Sequence, residues 1–259
     1  MKLTIYQADA FTNKVFGGNP AAIVPLEEWL PDSTLQAIAL ENNLSETAYF
    51  VKKDDHFHLR WFTPTIEIEL CGHATLASAF ILFTELGYSK KRIHFETLSG
   101  PLYVEKDNDV LAMDFPITYM AAIPFSEKMK KGLGAQYLEI YESDTKLMVV
   151  FENESEIKAL APDFRILNEL GKNIIVTAKG DNCDFVSRFF APASGIDEDP
   201  VTGSAHTALT PYWAAKLNKK KLEARQVSAR EGHLFCEMKG DRVIIKGQSK
   251  LYLKGEIFI

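Results

Sequence analysis

Two stretches of the chain decide its fold: "RWFTPTIEIELCGHATLASA" at residues 60–79 and "RFFAPASGIDEDPVTGSAHTAL" at residues 188–209. Each runs from an arginine through two aromatic residues to a proline, and each then reaches a glycine that opens a run of small and apolar residues. A shared pattern of this length, at a fixed spacing within one chain, indicates an internal duplication.

The similarity continues upstream of these stretches. Residues 46–64 align without a gap with residues 174–192, at an offset of 128 residues, about half the chain. Beyond the proline, a three-residue insertion around "DEDP" in the second copy brings Cys71-Gly72-His73-Ala74 over Thr202-Gly203-Ser204-Ala205. Each copy therefore predicts two short strands joined by a polar turn, followed by a glycine-headed helix.

The two predicted helices are unusual for a soluble protein. The first, "ATLASAFILF", is apolar on every side, which is typical of a fully buried helix, and the second is similar, with Pro211 expected to bend it. The rest of the chain is rich in strand patterns. We expect an α+β fold of two pseudo-symmetric halves, residues 1–115 and 116–259, each an incomplete β-barrel around a central buried helix. Whether the C-terminal strand returns to the first half stays open.

Composition limits the partners and the compartment. The formal net charge of −6 does not favour a nucleic-acid or anionic-membrane partner. The three cysteines form no C-x-x-C pattern, which favours a reducing compartment over a disulfide scaffold. The N-terminus lacks the apolar core of a signal peptide, and the apolar run "LASAFILF" is too short to span a bilayer. We expect a cytoplasmic protein without a membrane partner.

Glycine-headed buried helices favour a small anionic ligand. A helix N-terminus carries a partial positive charge and unpaired N–H groups, and glycine lets a carboxylate approach them closely. Gly72 and Gly203 open the two helices, so we expect an anion site between them. The alternative is that both glycines only make tight turns and that Asp199 is a helix cap.

Breaks in the duplication identify candidate catalytic residues. Glu46, which aligns with Ile174, is flanked by uncharged residues and is suited to proton abstraction. His73 aligns with Ser204, and the positive helix end is expected to favour its neutral form. Asp199 is the favoured member of the acidic trio, because Pro200 fixes the chain next to it. Asp197 and Glu198 are interpreted as solvated or capping residues, with a role for Glu198 left open.

Other chemistries are less well supported by the sequence. An epimerase with two thiols is disfavoured, because Cys71 aligns with Thr202. His56 and His58 could share one strand face, but no third metal ligand is evident, so we expect no metal site. The segment "FGGNPAA" lacks the spacing of a dinucleotide loop, so we expect no cofactor; its turn is predicted to bring Asn19 toward the ligand.

The segments "DAFTNKVFGGNPAAIV", "NNLSETAYF", "RWFTPTIEIELCGHATLASA" and "RFFAPASGIDEDPVTGSAHTAL" together resemble the PhzF family of phenazine-biosynthesis-like isomerases, over nearly the whole chain. That family is similar in fold to diaminopimelate epimerase and proline racemase. Its members work without a cofactor and are commonly homodimeric. Phenazine-forming members isomerise a dihydro-hydroxyanthranilic acid by moving a proton within its ring system.

The resemblance also implies roles for individual residues. The glutamate of "SET" is Glu46, the general base or acid, while His73 and Asp199 match the other catalytic positions. The expected substrate-binding positions are Gly72, Gly203, Ser204, Asn19 and Ser45. We therefore expect a cofactor-independent, homodimeric isomerase that moves a proton between carbons of a small carboxylic acid bound between two helix N-termini. An amino-acid racemase or epimerase that uses Cys71, and a non-catalytic small-acid-binding protein, remain the alternatives.

Overall fold

A computed structural model describes residues 1–259, which form two compact units: Met1–Asp114 together with Lys246–Ile259, and Phe115–Ile245. None of its helices is both long enough and apolar enough to cross a membrane. In chain order the elements are β1 Lys2–Ala10, β2 Asn19–Leu26, α1 Asp32–Asn42, β3 Glu46–Lys52, β4 Phe57–Phe62, β5 Glu67–Ile68, α2 Gly72–Thr84, β6 Arg92–Thr97, β7 Gly100–Asp107, β8 Val110–Pro116, β9 Ala121–Ala122, α3 Glu127–Leu133, β10 Glu139–Glu142, β11 Lys146–Val150, α4 Glu154–Ala159, α5 Phe164–Asn168, β12 Asn173–Lys179, β13 Phe185–Phe190, β14 Glu198–Asp199, α6 Gly203–Leu217, β15 Lys221–Gln226, β16 Gly232–Lys239, β17 Arg242–Gly247 and β18 Ser249–Phe258.

The first unit wraps strands around helix α2. Strand β2 is parallel to β3, β3 is antiparallel to β4, and β4 is parallel to β6 and antiparallel to β5. Strand β1 pairs in antiparallel fashion with both β2 and β18, so the last strand of the chain lies in this unit. Helix α2 contacts β1, β2, β3 and β18 and is buried along most of its length, as its uniformly apolar sequence predicts.

The second unit repeats this pattern. Strand β11 is parallel to β12, β12 is antiparallel to β13, and β13 is parallel to β15 and antiparallel to β14. Helix α6 contacts β15 and β16, and most of its first eight residues are buried. The predicted α+β fold, with two similar halves that each surround a buried helix, is confirmed.

Strand pairing corrects the alignment of the first repeated strand. Thr47 lies opposite Phe62, whereas Ile174 lies opposite Phe190, so Thr47 and Ile174 are the equivalent residues. Glu46 therefore corresponds to Asn173 and not to Ile174. The reason is a turn that is one residue longer in the second hairpin, residues 180–184 against 53–56. A gapless comparison cannot show this difference.

The position of the three-residue insertion also changes. Phe62 pairs with Glu67 and Phe190 pairs with Glu198, so β14 is the counterpart of β5. The extra residues therefore lie within the turn at 193–197, before Glu198, and not around "DEDP". Asp199 belongs to the repeated scaffold, where it replaces Ile68.

Pro211 does not interrupt helix α6, which runs continuously from Gly203 to Leu217. A proline has no N–H to donate to the carbonyl four residues earlier, which here belongs to Thr207. The backbone N–H of Thr118 donates to that carbonyl instead, at 3.2 Å. The carbonyl is thus satisfied from outside the helix, which makes the proline tolerable at this position.

Candidate active site

The first unit brings a carboxylate and an imidazole together where two elements begin. Glu46 is the first residue of β3, and His73 lies in the first turn of α2. Glu46 Oε2 is 3.0 Å from His73 Nε2, and the side chains are only 15% and 6% exposed. The two atoms face each other without the alignment of a hydrogen bond, and neither has another hydrogen-bond partner. At this distance the two groups lie within reach of the same substrate proton.

The other ring nitrogen of His73 is held by two neighbours. Asn19 is fully buried at the start of β2, and its Nδ2 lies 3.2 Å from His73 Nδ1. The Cys71 Sγ lies 3.4 Å from the same nitrogen. In a neutral His73, an Asn19 amide that donates to Nδ1 leaves the ring proton on Nε2, where it faces Glu46; in a charged ring both nitrogens carry a proton, and Nδ1 can only donate. Asn19, which the sequence predicts as a substrate-binding residue, thus contacts a candidate catalytic residue directly.

The charge of His73 differs from the expectation. Burial opposes protonation, but the interactions of the ring with Cys71 and Glu46 outweigh burial and raise the pKa of His73 well above its usual value. Burial, and next to it the proximity of Glu46, raises the pKa of the Cys71 thiol to about 11, so this thiol is protonated near neutral pH. The prediction that the helix N-terminus keeps His73 neutral is therefore wrong, because a carboxylate lies beside the ring.

The same three residues have ligand atoms within 4.8 Å of one another, as a metal site would require. Their arrangement does not suit a single ion, because Glu46 contacts Nε2 and Cys71 contacts Nδ1, on opposite edges of the ring. An imidazole binds one metal ion through one nitrogen. His56 and His58 do not form a metal site with each other either, since His56 lies in the turn before β4 and packs against His94, while His58 packs against Trp29.

In the second unit, Asp199 is half-buried in β14, three residues before Thr202, the N-cap residue of α6. The Thr202 hydroxyl donates to Asp199 Oδ2 at 2.5 Å. Gly203 and Ser204 form the first turn of the helix. Neither Cys71 nor Thr202 caps its helix with its side chain. Each side chain contacts an ionisable residue instead, His73 for Cys71 and Asp199 for Thr202.

Glu198 has a structural partner. Arg188 donates to both of its carboxylate oxygens at 2.8 Å, and the equivalent residues of the first unit, Arg60 and Glu67, form the same two-bond pair at 2.7 Å. A pair that occurs in both copies belongs to the repeated scaffold. This accounts for Glu198 and leaves Asp199 as the acid that is particular to the second copy.

The predicted site residues thus form two groups. Glu46, His73 and Asn19 are in contact, with Ser45 and Gly72 next to them in the chain; Asp199, Gly203 and Ser204 lie together where α6 begins. The substrate-binding roles of Asn19, Ser45, Gly72, Gly203 and Ser204 stay predictions.

Sequence reasoning missed Gln226, a fully buried residue that bonds to the segment before α6. The available signal was its place in "LEARQ", where alternate residues point inward and the last of them is polar.

Comparison with known proteins gives consistent matches over the whole length. The sequence model of the PhzC-PhzF family, described as phenazine biosynthesis-like protein, matches residues 8–256. An uncharacterized isomerase of Pseudomonas aeruginosa is 48% identical, and the match covers 100% of both chains. The crystal structure of a PhzF-family phenazine biosynthesis protein from Enterococcus faecalis is 48% identical with a TM-score of 0.98, again over 100% of both chains.

A more distant likeness concerns the fold alone. The structure of a predicted epimerase from Pseudomonas aeruginosa is 18% identical, has a TM-score of 0.77 and covers 99% of both chains. The epimerase-like fold that the family resemblance implies is therefore found both in a protein of similar sequence and in one of very different sequence.

Proposed function

Because the chain belongs to the PhzC-PhzF family of phenazine biosynthesis-like proteins and is an isomerase, we propose that it moves a proton between two carbons of a small carboxylic acid without a cofactor. Glu46 takes up and returns the proton. His73, charged beside it, stabilises the negative charge that develops on the substrate when the proton leaves. Asp199 assists the transfer.

The contact of 3.0 Å between Glu46 Oε2 and His73 Nε2 is the observation that carries this proposal. The equivalent positions of the second copy hold Asn173 and Ser204, neither of which takes up a proton near neutral pH. A single carboxylate that removes and returns the proton suits an isomerisation, in which the proton goes back to a different carbon.

We place the substrate carboxylate at the two helix N-termini. Both N-cap side chains bond elsewhere, so they do not occupy the first-turn N–H groups that an anion would use. A homodimer, expected from the family resemblance, is part of the proposal and is measured by light scattering during size-exclusion chromatography.

The test is a panel of small cyclic and amino carboxylic acids incubated with the protein in D2O and followed by NMR for deuterium at carbon. We expect exchange in at least one acid, and Glu46→Gln should lower its rate by about 10²–10⁴-fold, the usual contribution of a general acid–base. Glu69→Gln, which changes an exposed glutamate close to α2, should leave the rate unchanged. Wild-type exchange in Glu46→Gln would exclude Glu46 as the base, and absence of exchange in every acid would favour a binding protein.

One observation favours a second candidate, an amino-acid racemase or epimerase that uses Cys71. The Cys71 Sγ lies 3.4 Å from His73 Nδ1, as a thiol that exchanges a proton with a histidine would. Its pKa of about 11 and its burial count against a reactive thiolate. Iodoacetamide and the variant Cys71→Ala distinguish the two candidates. A racemase that uses Cys71 loses its activity when the wild type is alkylated and also in Cys71→Ala. An isomerase based on Glu46 remains active in Cys71→Ala.

A further inference from the structure

We propose that Thr202 and Gln226 are positioning residues that fix the Asp199 carboxyl group and the start of α6 for the reaction. The inference rests on the proposed function only in that Asp199 assists the proton transfer. It adds two residues, neither of which takes up or releases a proton, to the part of the site in the second unit.

The hydroxyl of Thr202 is used in an unusual way. Threonine is a good N-cap residue because its oxygen accepts a hydrogen bond from a first-turn N–H group. Here Thr202 occupies the N-cap position of α6 but makes no such bond. Its hydroxyl instead donates to Asp199 Oδ2 at 2.5 Å, at the short end of the range for a hydroxyl bonded to a carboxylate. The Thr202 hydroxyl thus orients the Asp199 carboxyl group and does not cap α6.

Gln226 holds the same segment from the neighbouring strand β15. It is fully buried, and its amide makes three hydrogen bonds, all to Asp199 and Thr202. Nε2 donates to the Asp199 carbonyl at 2.7 Å and to Thr202 Oγ1 at 3.3 Å, and Oε1 accepts from the Thr202 N–H at 2.9 Å. Both ends of the side-chain amide are therefore committed to this one short segment.

The first unit shows that these bonds are not a general requirement of the fold. Strand pairing places Phe95 beside Phe57, and Ala224 beside Phe185, so Thr97 is the counterpart of Gln226. Thr97 bonds only within its own turn, to Ser99 and Gly100. The hydrogen bonds of Gln226 and Thr202 therefore occur only in the copy that carries Asp199. The first copy has Ile68 in place of Asp199 and lacks these bonds.

The first test needs no substrate. The carboxyl carbon signal of Asp199, assigned by its loss in Asp199→Asn, is titrated by ¹³C NMR in the wild type and in variants. Thr202→Val keeps the size of the side chain but removes the donor, so the midpoint should rise by about half a pH unit or more, because a carboxylate that loses a hydrogen bond is easier to protonate. Thr202→Ser restores the donor and should titrate as the wild type does. Thr210→Val removes another buried hydroxyl of α6, which bonds to the His206 carbonyl, and should have no effect.

The second test measures deuterium exchange into the substrate. Thr202→Val should lower kcat by about 10–100-fold with little change in KM, because the acid is misplaced while the binding surface remains. Thr202→Ser should recover most of kcat, and Thr202→Val should add little to the loss caused by Asp199→Asn. Gln226→Met, checked for folding by circular dichroism, should behave as Thr202→Val does.

An unchanged titration midpoint in Thr202→Val, or equal effects of Thr202→Val and Thr210→Val, would overturn the positioning role. If the wild type catalyses no exchange in any acid, the proposed function fails, and the titration still decides whether Thr202 fixes Asp199.

Discussion

Two buried histidines of this chain respond to burial in opposite ways. Next to a carboxylate, His73 has a pKa well above its usual value, although burial alone would lower it. His206, in the first turns of α6, has no acid beside it, and burial lowers its pKa to about 4. Its Nδ1 donates to the Thr202 carbonyl at 2.9 Å, and its Nε2 has no hydrogen-bond partner. Burial lowers the pKa of a histidine that has no acidic neighbour, and the contacts of His73 with Cys71 and Glu46 reverse that effect.

The lowered pKa of His206 makes folding stability depend on pH. The folded protein protonates His206 only near pH 4, whereas the unfolded chain does so near pH 6.5, so the unfolded state binds more protons between these values. His206 therefore makes its full contribution to the free energy of unfolding above about pH 6.5. That contribution is lost as the pH falls toward 4, because protons bind the unfolded chain more readily. From pH 7 to 4.5 the loss amounts to about 2–3 kcal/mol.

His206→Thr, which installs the residue found at the equivalent position 75, should remove this part of the acid sensitivity. Its free energy of unfolding at pH 7 will be lower because the smaller side chain leaves a cavity. The decrease between pH 7 and 4.5, measured by urea unfolding, should nevertheless be smaller than in the wild type. Replacing the exposed His58 by threonine should leave the pH dependence as it is. Parallel pH profiles for His206→Thr and the wild type would contradict the assignment.

At the level of elements, two arginine–glutamate pairs hold the short strands β5 and β14 in place. Each guanidinium lies over the ring of the phenylalanine two residues later, at 5.1 Å for Arg60 and Phe62 and 4.9 Å for Arg188 and Phe190. The side chains are at most 24% exposed, so the ion pairs are shielded from solvent. These pairs fix the strand that leads into each buried helix, and so they set where each helix begins.

This arrangement predicts separate roles for the adjacent acids Glu198 and Asp199. Glu198→Gln should lower the free energy of unfolding by about 1–3 kcal/mol, since it removes a charged hydrogen-bonding partner of Arg188, and should keep substrate exchange. Asp199→Asn should change stability by less than about 1 kcal/mol but lower the exchange rate. Glu67→Gln, the matched change in the first copy, should resemble Glu198→Gln. Denaturant unfolding and NMR exchange measure both effects, and the opposite pattern would assign the catalytic role to Glu198.

The duplication made the main elements and the N-termini of the two buried helices predictable, because hydrophobic patterns and glycine positions are local features of the sequence. It also indicated Glu46, the first residue of β3, and His73, in the first turn of α2, which meet in the structure. The three-residue insertion was visible in the sequence, but its exact place and the one-residue difference between the hairpin turns were not, because both are fixed by strand pairing. The charge of His73 depends on a distance to Glu46 that no spacing reveals, and Gln226 reaches Thr202 only through the parallel pairing of β13 and β15.

The whole molecule depends on both ends of the chain. Strand β18 pairs with β1 along almost its full length, and Met1 and Ile259 bond to each other in both directions. Residues 246–259 thus complete a compact unit whose other members are residues 1–114. This unit also contains Glu46 and His73, so the stability of that pair depends on residues almost 200 positions away in sequence.

A chain that ends at Gln248 should therefore lose protection far from the deletion. Without β18, strand β1 has an unpaired edge, and α2 loses one of the strands that cover it. We expect faster amide hydrogen exchange in β1, β2 and α2, measured under native conditions by hydrogen–deuterium exchange mass spectrometry. The midpoint temperature of thermal unfolding should also be lower. Tyr252→Ala, which removes a half-exposed side chain of β18 and keeps its backbone pairing, should leave α2 protected. If faster exchange in the shortened chain stayed confined to β1, then β18 would only cover an edge, and α2 with His73 would be held by the remaining strands alone.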